Sequence, residues 1–200
     1  NRHEDALVIL FRLVQKDGSD MVSKDLLLDV LKSLPDGDAL ANKFRRIVNK
    51  VNKMPKGMRS FLLTRIFCSQ VKFANTSSIK LVSVTNTQTV LFLENKKKVQ
   101  NHIGGIHAIA AALLAESATG IVFGMNVPDS CVPLLKSMTI HYQRRMQGNL
   151  TAVAKLAETD VTLIENADKG SLMVEVEITD ESDQQPIVCE MEWAWVTKRK

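Results

Sequence analysis

The apolar positions divide the chain into a helical front and a strand-rich back. Within residues 5–15, Leu7, Val8, Leu10, Phe11 and Val14 recur at helical intervals. A polar turn cluster starting at Lys16 follows. Ser23 is then placed as the N-cap of a helix over 24–34, which Pro35 and Gly37 stop. Residues 38–54 set Leu40, Phe44, Ile47, Val48, Val51 and Met54 on one side of a third helix. Arg45, Arg46, Lys50 and Lys53 take much of the rest. After Lys72 the texture changes to strands, with short apolar runs at 79–84 and 89–93 joined by a polar hairpin turn at 85–88. An alanine-rich helix is expected over 106–119, with Gly120 as its stop. Strands are then expected at 121–125, 134–144, 149–157, 171–179 and 186–196. In the last two, Leu172, Val174, Val176 and Ile178 oppose Glu175 and Glu177, and Cys189, Met191, Trp193 and Trp195 oppose Glu190 and Glu192. That period of two describes sheets with one wet face.

Two strands, one long apolar helix and a run of antiparallel strands predict an α+β fold in which the sheet curls round a single helix. Residues 1–37 stand apart as a helix-loop-helix extension and 38–200 form the main domain with its lead-in helices. The extension is similar to half an EF-hand, with Asp17 and Ser19 near ligand positions. Leu26 stands where a bidentate Glu is required and Asp20 where the loop needs Gly, so calcium is not expected.

Of the 200 residues, 45% are hydrophobic and 24% charged, which suits a packed core and excludes a disordered chain. The net charge of +4 conceals a strong asymmetry. No Asp or Glu occurs from Ala39 to Leu93, a stretch holding ten Lys and Arg, whereas eleven carboxylates from Glu158 onward face the single base Lys169 before Val196. The basic helix at 38–54 is a candidate surface for a membrane or an acidic partner. Without interleaved aromatics it carries no expectation of nucleic acid. Three widely spaced cysteines argue against disulfides or a zinc site and for an intracellular, reducing compartment, cytoplasmic or mitochondrial.

The chemistry concentrates between Val99 and Ser117, which hold Asn101, His102, Gly104, Gly105, His107, Ala108 and Glu116. A glycine-flanked helix start exposes backbone N–H groups and the positive end of the helix dipole, a site for the oxyanion of an attacked thioester. Glu116 is the lone charge on an otherwise apolar helix. It lies nine residues past His107, about 13 Å along the axis at ~1.5 Å per residue, too far to serve its own helix start. An antiparallel copy of the helix in a second subunit would bring Glu116 to that start, so a dimer with shared sites is expected. His102 and His107 are five apart and share no helical face, so no metal is expected there.

The pattern Asn-x-x-Gly-x-x-His-Ala at Asn101–Ala108, with Glu116 beyond it, resembles the hot-dog acyl-CoA thioesterases of the phenylacetyl-CoA and 4-hydroxybenzoyl-CoA thioesterase superfamily. It is most similar to an uncharacterised branch with Asn-His-x-Gly-x-x-His-Ala. The stretch ending in Ile140, His141 and Tyr142 is similar to that branch's strand, and Arg59–Arg65 and Val71–Phe73 to its lead-in helix and first strand. The resemblance implies a hot-dog fold, hydrolysis of an acyl thioester to acid and coenzyme A, and no cofactor other than the coenzyme A of the substrate. It implies that Asn101 orients the thioester or the water, that the Ala108 N–H forms the oxyanion hole, and that Glu116 of a partner subunit is base or nucleophile. Gly104, Gly105 and His107 would shape the thioester-binding helix start, with His107 chiefly steadying it, and Arg144 and Arg145 would meet coenzyme A phosphates. Ala108 where many relatives have Gly, Ser137 where the branch has Gly, and Leu135 where some present a hydroxyl keep an alternative open. That alternative is a catalytically silent hot-dog subunit within a larger assembly, the mitochondrion being one setting for it.

Overall fold

A computed structural model describes residues 41–199; the expected extension over 1–37 and its EF-hand-like loop lie outside them. Three helices lead in: α1 (Lys43–Asn52), α2 (Lys56–Gln70) and α3 (Lys72–Ser77). The hairpin β1 (Lys80–Val84) and β2 (Gln88–Leu93) leads to the central helix α4 (Ala108–Gly124). Then come β3 (Cys131–Tyr142), β4 (Leu150–Lys155), helix α5 (Glu158–Asn166), β5 (Gly170–Met173), β6 (Glu175–Asp180) and β7 (Ile187–Thr197).

The strands form two antiparallel sheets, ordered β1-β2-β4-β6 and β3-β7-β5. Only Val174 separates β5 from β6, and its N–H donates to Met191 O at 2.9 Å. The two sheets therefore continue into each other along one bent strand. They wrap α4, which packs on β2, β4 and β6 from one side and on β3 and β7 from the other. Its six alanines favour the helix and let the sheet approach closely. Eleven of its seventeen residues are buried.

Two tryptophans on β7 lock the helix in place. Trp193 Nε1 donates to Thr119 Oγ1 at 2.9 Å, and both indoles pack on Phe123, with ring centroids 5.7 and 6.0 Å away. Burying an aromatic side chain of this kind stabilises by about 1.5–3 kcal/mol. The basic and acidic regions of the sequence do meet, through Arg45 of α1 and Glu165 of α5 at 2.6 Å.

Four sequence expectations need correcting. The central helix runs through Gly120 to Gly124, so 121–125 is helix rather than strand. Gly120 reflects packing instead of termination, since a Cβ there would lie 2.7 Å from Trp193 Cη2. Lys72–Ser77 is a helix, so Val71–Phe73 is not the first strand. Residues 158–166, given no element by the pattern, form α5, which buries Val161 and Ile164 one turn apart. The basic helix is shorter than 38–54, because Asn42 caps it, accepting from Arg45 N at 2.7 Å.

Candidate active site at the start of the central helix

The loop before α4 is held by its own side chains. Asn101 Oδ1 accepts from Ile103 N and Gly105 N, both at 3.1 Å, which folds the loop around Gly104 at φ +76°. Glycine is required there because other side chains rarely take that conformation. Asn95 Nδ2 donates to Gly104 O at 3.1 Å and Arg145 donates to Ile103 O at 2.9 Å, bracing the loop from outside.

His107 caps the helix, its Nδ1 accepting from Ile109 N at 3.1 Å. The N–H groups of Ala110 and Ala111 donate to His107 O at 2.9 and 3.1 Å. Ala108 N–H is left as the first-turn donor with no acceptor among the described residues. An unpaired N–H at the positive end of a seventeen-residue helix can donate to an anion or to a developing oxyanion. Tyr142 at the end of β3 donates its hydroxyl to Ala108 O at 2.9 Å. Burial, and then the neighbouring Cys189, push the Tyr142 hydroxyl above its ordinary pKa, so it stays a donor.

Glu116 lies eight residues further on, about 12 Å along the axis at ~1.5 Å per residue. With Ala108, Ile109, Leu113, Gly120 and Gly124 it makes up the part of α4 that is not buried, Gly120 lying against Trp193 of β7. Burial pushes its carboxyl above the ordinary glutamate value, and a 3.5 Å hydrogen bond from Ser117 Oγ offsets this in part. Ala108 and Glu116 are therefore both exposed by the same helix, yet one protomer does not bring them together.

The remaining site residues have defined tasks. Arg144 is bound to Asp180, its Nη2 lying 2.9 Å from both carboxylate oxygens and 2.8 Å from Ser182 Oγ. Burial pushes the Asp180 carboxyl up, but hydrogen bonds from Ser182 Oγ, Gln147 N, Ser182 N and Arg144 outweigh it and hold the pKa at about 2. Arg144 thus pins the loop after β3, and of the two arginines it is Arg145 that stands at the helix start. Asn101 has its oxygen committed to the loop, and its Nδ2 has no partner among the described residues. Sequence reasoning assigned no site role to Tyr142 or Asn95. Tyr142 was visible only as the end of a strand motif, and nothing in the spacing signals that Asn95 reaches Gly104.

Beside this site one edge is bare. Strand β3 pairs only with β7 and presents twelve residues on its other side among the described residues. Leu134, Met138 and Tyr142 on it are 48, 45 and 47% exposed, and Ile109 on α4 is 58% exposed. A long apolar edge beside an uncovered helix face is a surface that soluble chains cover. Among the described residues no helix is long and apolar enough to cross a membrane.

A Pseudomonas aeruginosa protein described as a probable thioesterase superposes with a TM-score of 0.63 at 20% identity, over 69% of this chain and 95% of its own. A Haemophilus influenzae thioesterase gives 0.56 at 13% identity, over 68 and 90% of the two chains. A mutant thioesterase from Staphylococcus aureus gives 0.54 at 17%, over 62 and 98%. These likenesses establish the hot-dog fold. No curated protein matches the sequence. The profile of the family described as Domain of unknown function (DUF4442) matches residues 59–196, more than half of the sequence, and the chain belongs to that family.

Proposed function

We propose that the protein is an acyl-CoA thioesterase that works as a dimer of antiparallel α4 helices, each active site combining Ala108 of one protomer with Glu116 of the other. The observation that carries this reading is the unsatisfied Ala108 N–H at one end of a helix whose uncovered face holds a half-buried carboxylate. The bare β3 edge supports pairing with a second copy, and the descriptions of the structural neighbours as thioesterases support the reaction class.

The thioester carbonyl oxygen accepts from Ala108 N–H. Glu116 takes a proton from water as the water oxygen bonds to the carbonyl carbon. The negative charge that forms on the carbonyl oxygen faces the helix dipole. The carbon–sulfur bond then breaks, the thiolate of coenzyme A takes up the proton, and the free acid leaves. Tyr142 and the loop braced by Asn101, Asn95 and Arg145 keep the helix start in place. Arg145 is the cation available to coenzyme A phosphates.

The test is thiol release from a panel of acyl-CoAs by the full chain. Glu116→Gln should lower kcat by about 10²–10⁴, the range for a general base. Because burial raises the Glu116 pKa and the base must be ionised, the wild-type rate should climb with pH through a midpoint above the ordinary glutamate value of 4.5. Release undiminished in Glu116→Gln, or no release from any acyl-CoA, would overturn the proposal. The second of these results is the one a silent subunit gives.

A further inference from the structure

A cavity of about 730 Å³ lies away from the helix start, under the lead-in helices. Phe44 and Ile47 of α1 and Ile66 and Phe67 of α2 form its walls, Pro133 of β3 closes one side, and Gly120 and Gly124 of α4 form its floor. The size falls within the roughly 300–1,000 Å³ of small-molecule sites, and the walls are mainly hydrocarbon. Of its charged lining residues, Asp129 and Lys198 are exposed and mark the solvent side, while Arg65 of α2 is half-buried.

Two observations tie this cavity to the site proposed above. Gly120 and Gly124 lie on the same outward face of α4 as Glu116, and Gly120 is one turn beyond it, about 6 Å along the axis. The cavity floor is thus the continuation of the face that carries the carboxylate. Gly124 also has no packing or conformational reason to be glycine. Its φ is not positive, and a Cβ there would meet nothing within 4 Å, whereas Gly120 lies under Trp193. Glycine costs helix stability relative to alanine, and here it leaves the floor flat and open.

We propose that this cavity holds the tail of a long-chain fatty acyl group, lying over Gly120 and Gly124 beneath α1 and α2 in the protomer that supplies Glu116. The inference rests on the thioesterase reading for the position of the thioester and adds the class of acyl group. Hydrocarbon walls suit a methylene chain and offer little to the polar, phosphorylated coenzyme A, which stays on the other side of the carbonyl.

The experiment titrates the full chain with palmitate and follows hydrolysis of palmitoyl-CoA and acetyl-CoA in the same preparations. Gly124→Phe fills the cavity from the floor and Ile47→Trp from the opposite wall, and thermal midpoints identify the variants that fold. The wild type should bind palmitate. Each folded variant should bind it about tenfold more weakly or worse and lose palmitoyl-CoA turnover by a similar factor, with acetyl-CoA turnover kept. A wild type that binds no palmitate, or folded variants that bind it as the wild type does, would overturn the assignment. Palmitate binding that depends on Gly124 and Ile47, with no acyl-CoA hydrolysed, would instead overturn the thioesterase reading and leave the cavity as a fatty-chain site.

Discussion

The two ends of α4 are finished in opposite ways. At the C-terminal end the carbonyls are saturated. Asn42 Nδ2 donates to Gly124 O and Val127 O at 2.8 and 2.6 Å, and Asn126 Nδ2 donates to Val122 O at 2.9 Å and Asn86 O at 2.7 Å. On the sheet side of this end Phe123 packs against Trp193 and Trp195. At the N-terminal end Ala108 N–H has no acceptor among the described residues, Ile109 is 58% exposed, and the loop in front is stiffened by Asn101. Helices normally satisfy their end groups with caps or solvent. An end that is braced yet left with a spare donor has its geometry fixed and its bonding capacity in reserve, which is the preorganisation a catalytic oxyanion site needs.

The strongest way to break the saturated end is Gly120→Ala. The added methyl would lie 2.7 and 2.8 Å from Trp193 Cη2 and Cζ2, on an indole already held by Thr119. Overpacking of this kind should cost about 2–3 kcal/mol in urea unfolding. A cost near zero would show that β7 yields easily. Asn42→Ala comes next, removing the cap of α1 together with one bond to the end of α4 and one to the loop after it. A loss of about 1–2 kcal/mol is expected, measured in the same way. Tyr142→Phe touches the open end and removes only the bond to Ala108 O. Stability should fall by about 0.5–1 kcal/mol. A loss as large as that of Gly120→Ala would mean that both ends are equally structural, and would erase the contrast.

Legibility in the sequence follows the same division. The strands of β6 and β7 were readable because alternation is a local signal, with Glu175, Glu177 and Glu190 exposed and Met191, Trp193 and Trp195 buried as their spacing requires. The sheet curled round one helix followed from the order of the elements. The end of α4 was not readable, because Gly120 gives the local signal of a stop while its actual cause is an indole 73 residues later in the chain. Helix α5 escaped because Val161, Thr162 and Ile164 carry strand propensity and only two positions are buried. Of the candidate site, Asn101, His107, Ala108 and Glu116 stand out by type and spacing. The ion pair that occupies Arg144 does not, because it is made with Asp180 across a turn of tertiary structure.

The placement of the tryptophans has a practical consequence. The sequence holds two, both on β7, one tied to Thr119 of the central helix and the other to Ala167 O at 2.7 Å ahead of β5. Intrinsic fluorescence is therefore a built-in gauge of one event, the docking of the sheet onto its helix. A ligand in the cavity that Gly120 lines would be reported without any label, because the Trp193 ring lies against the same glycine.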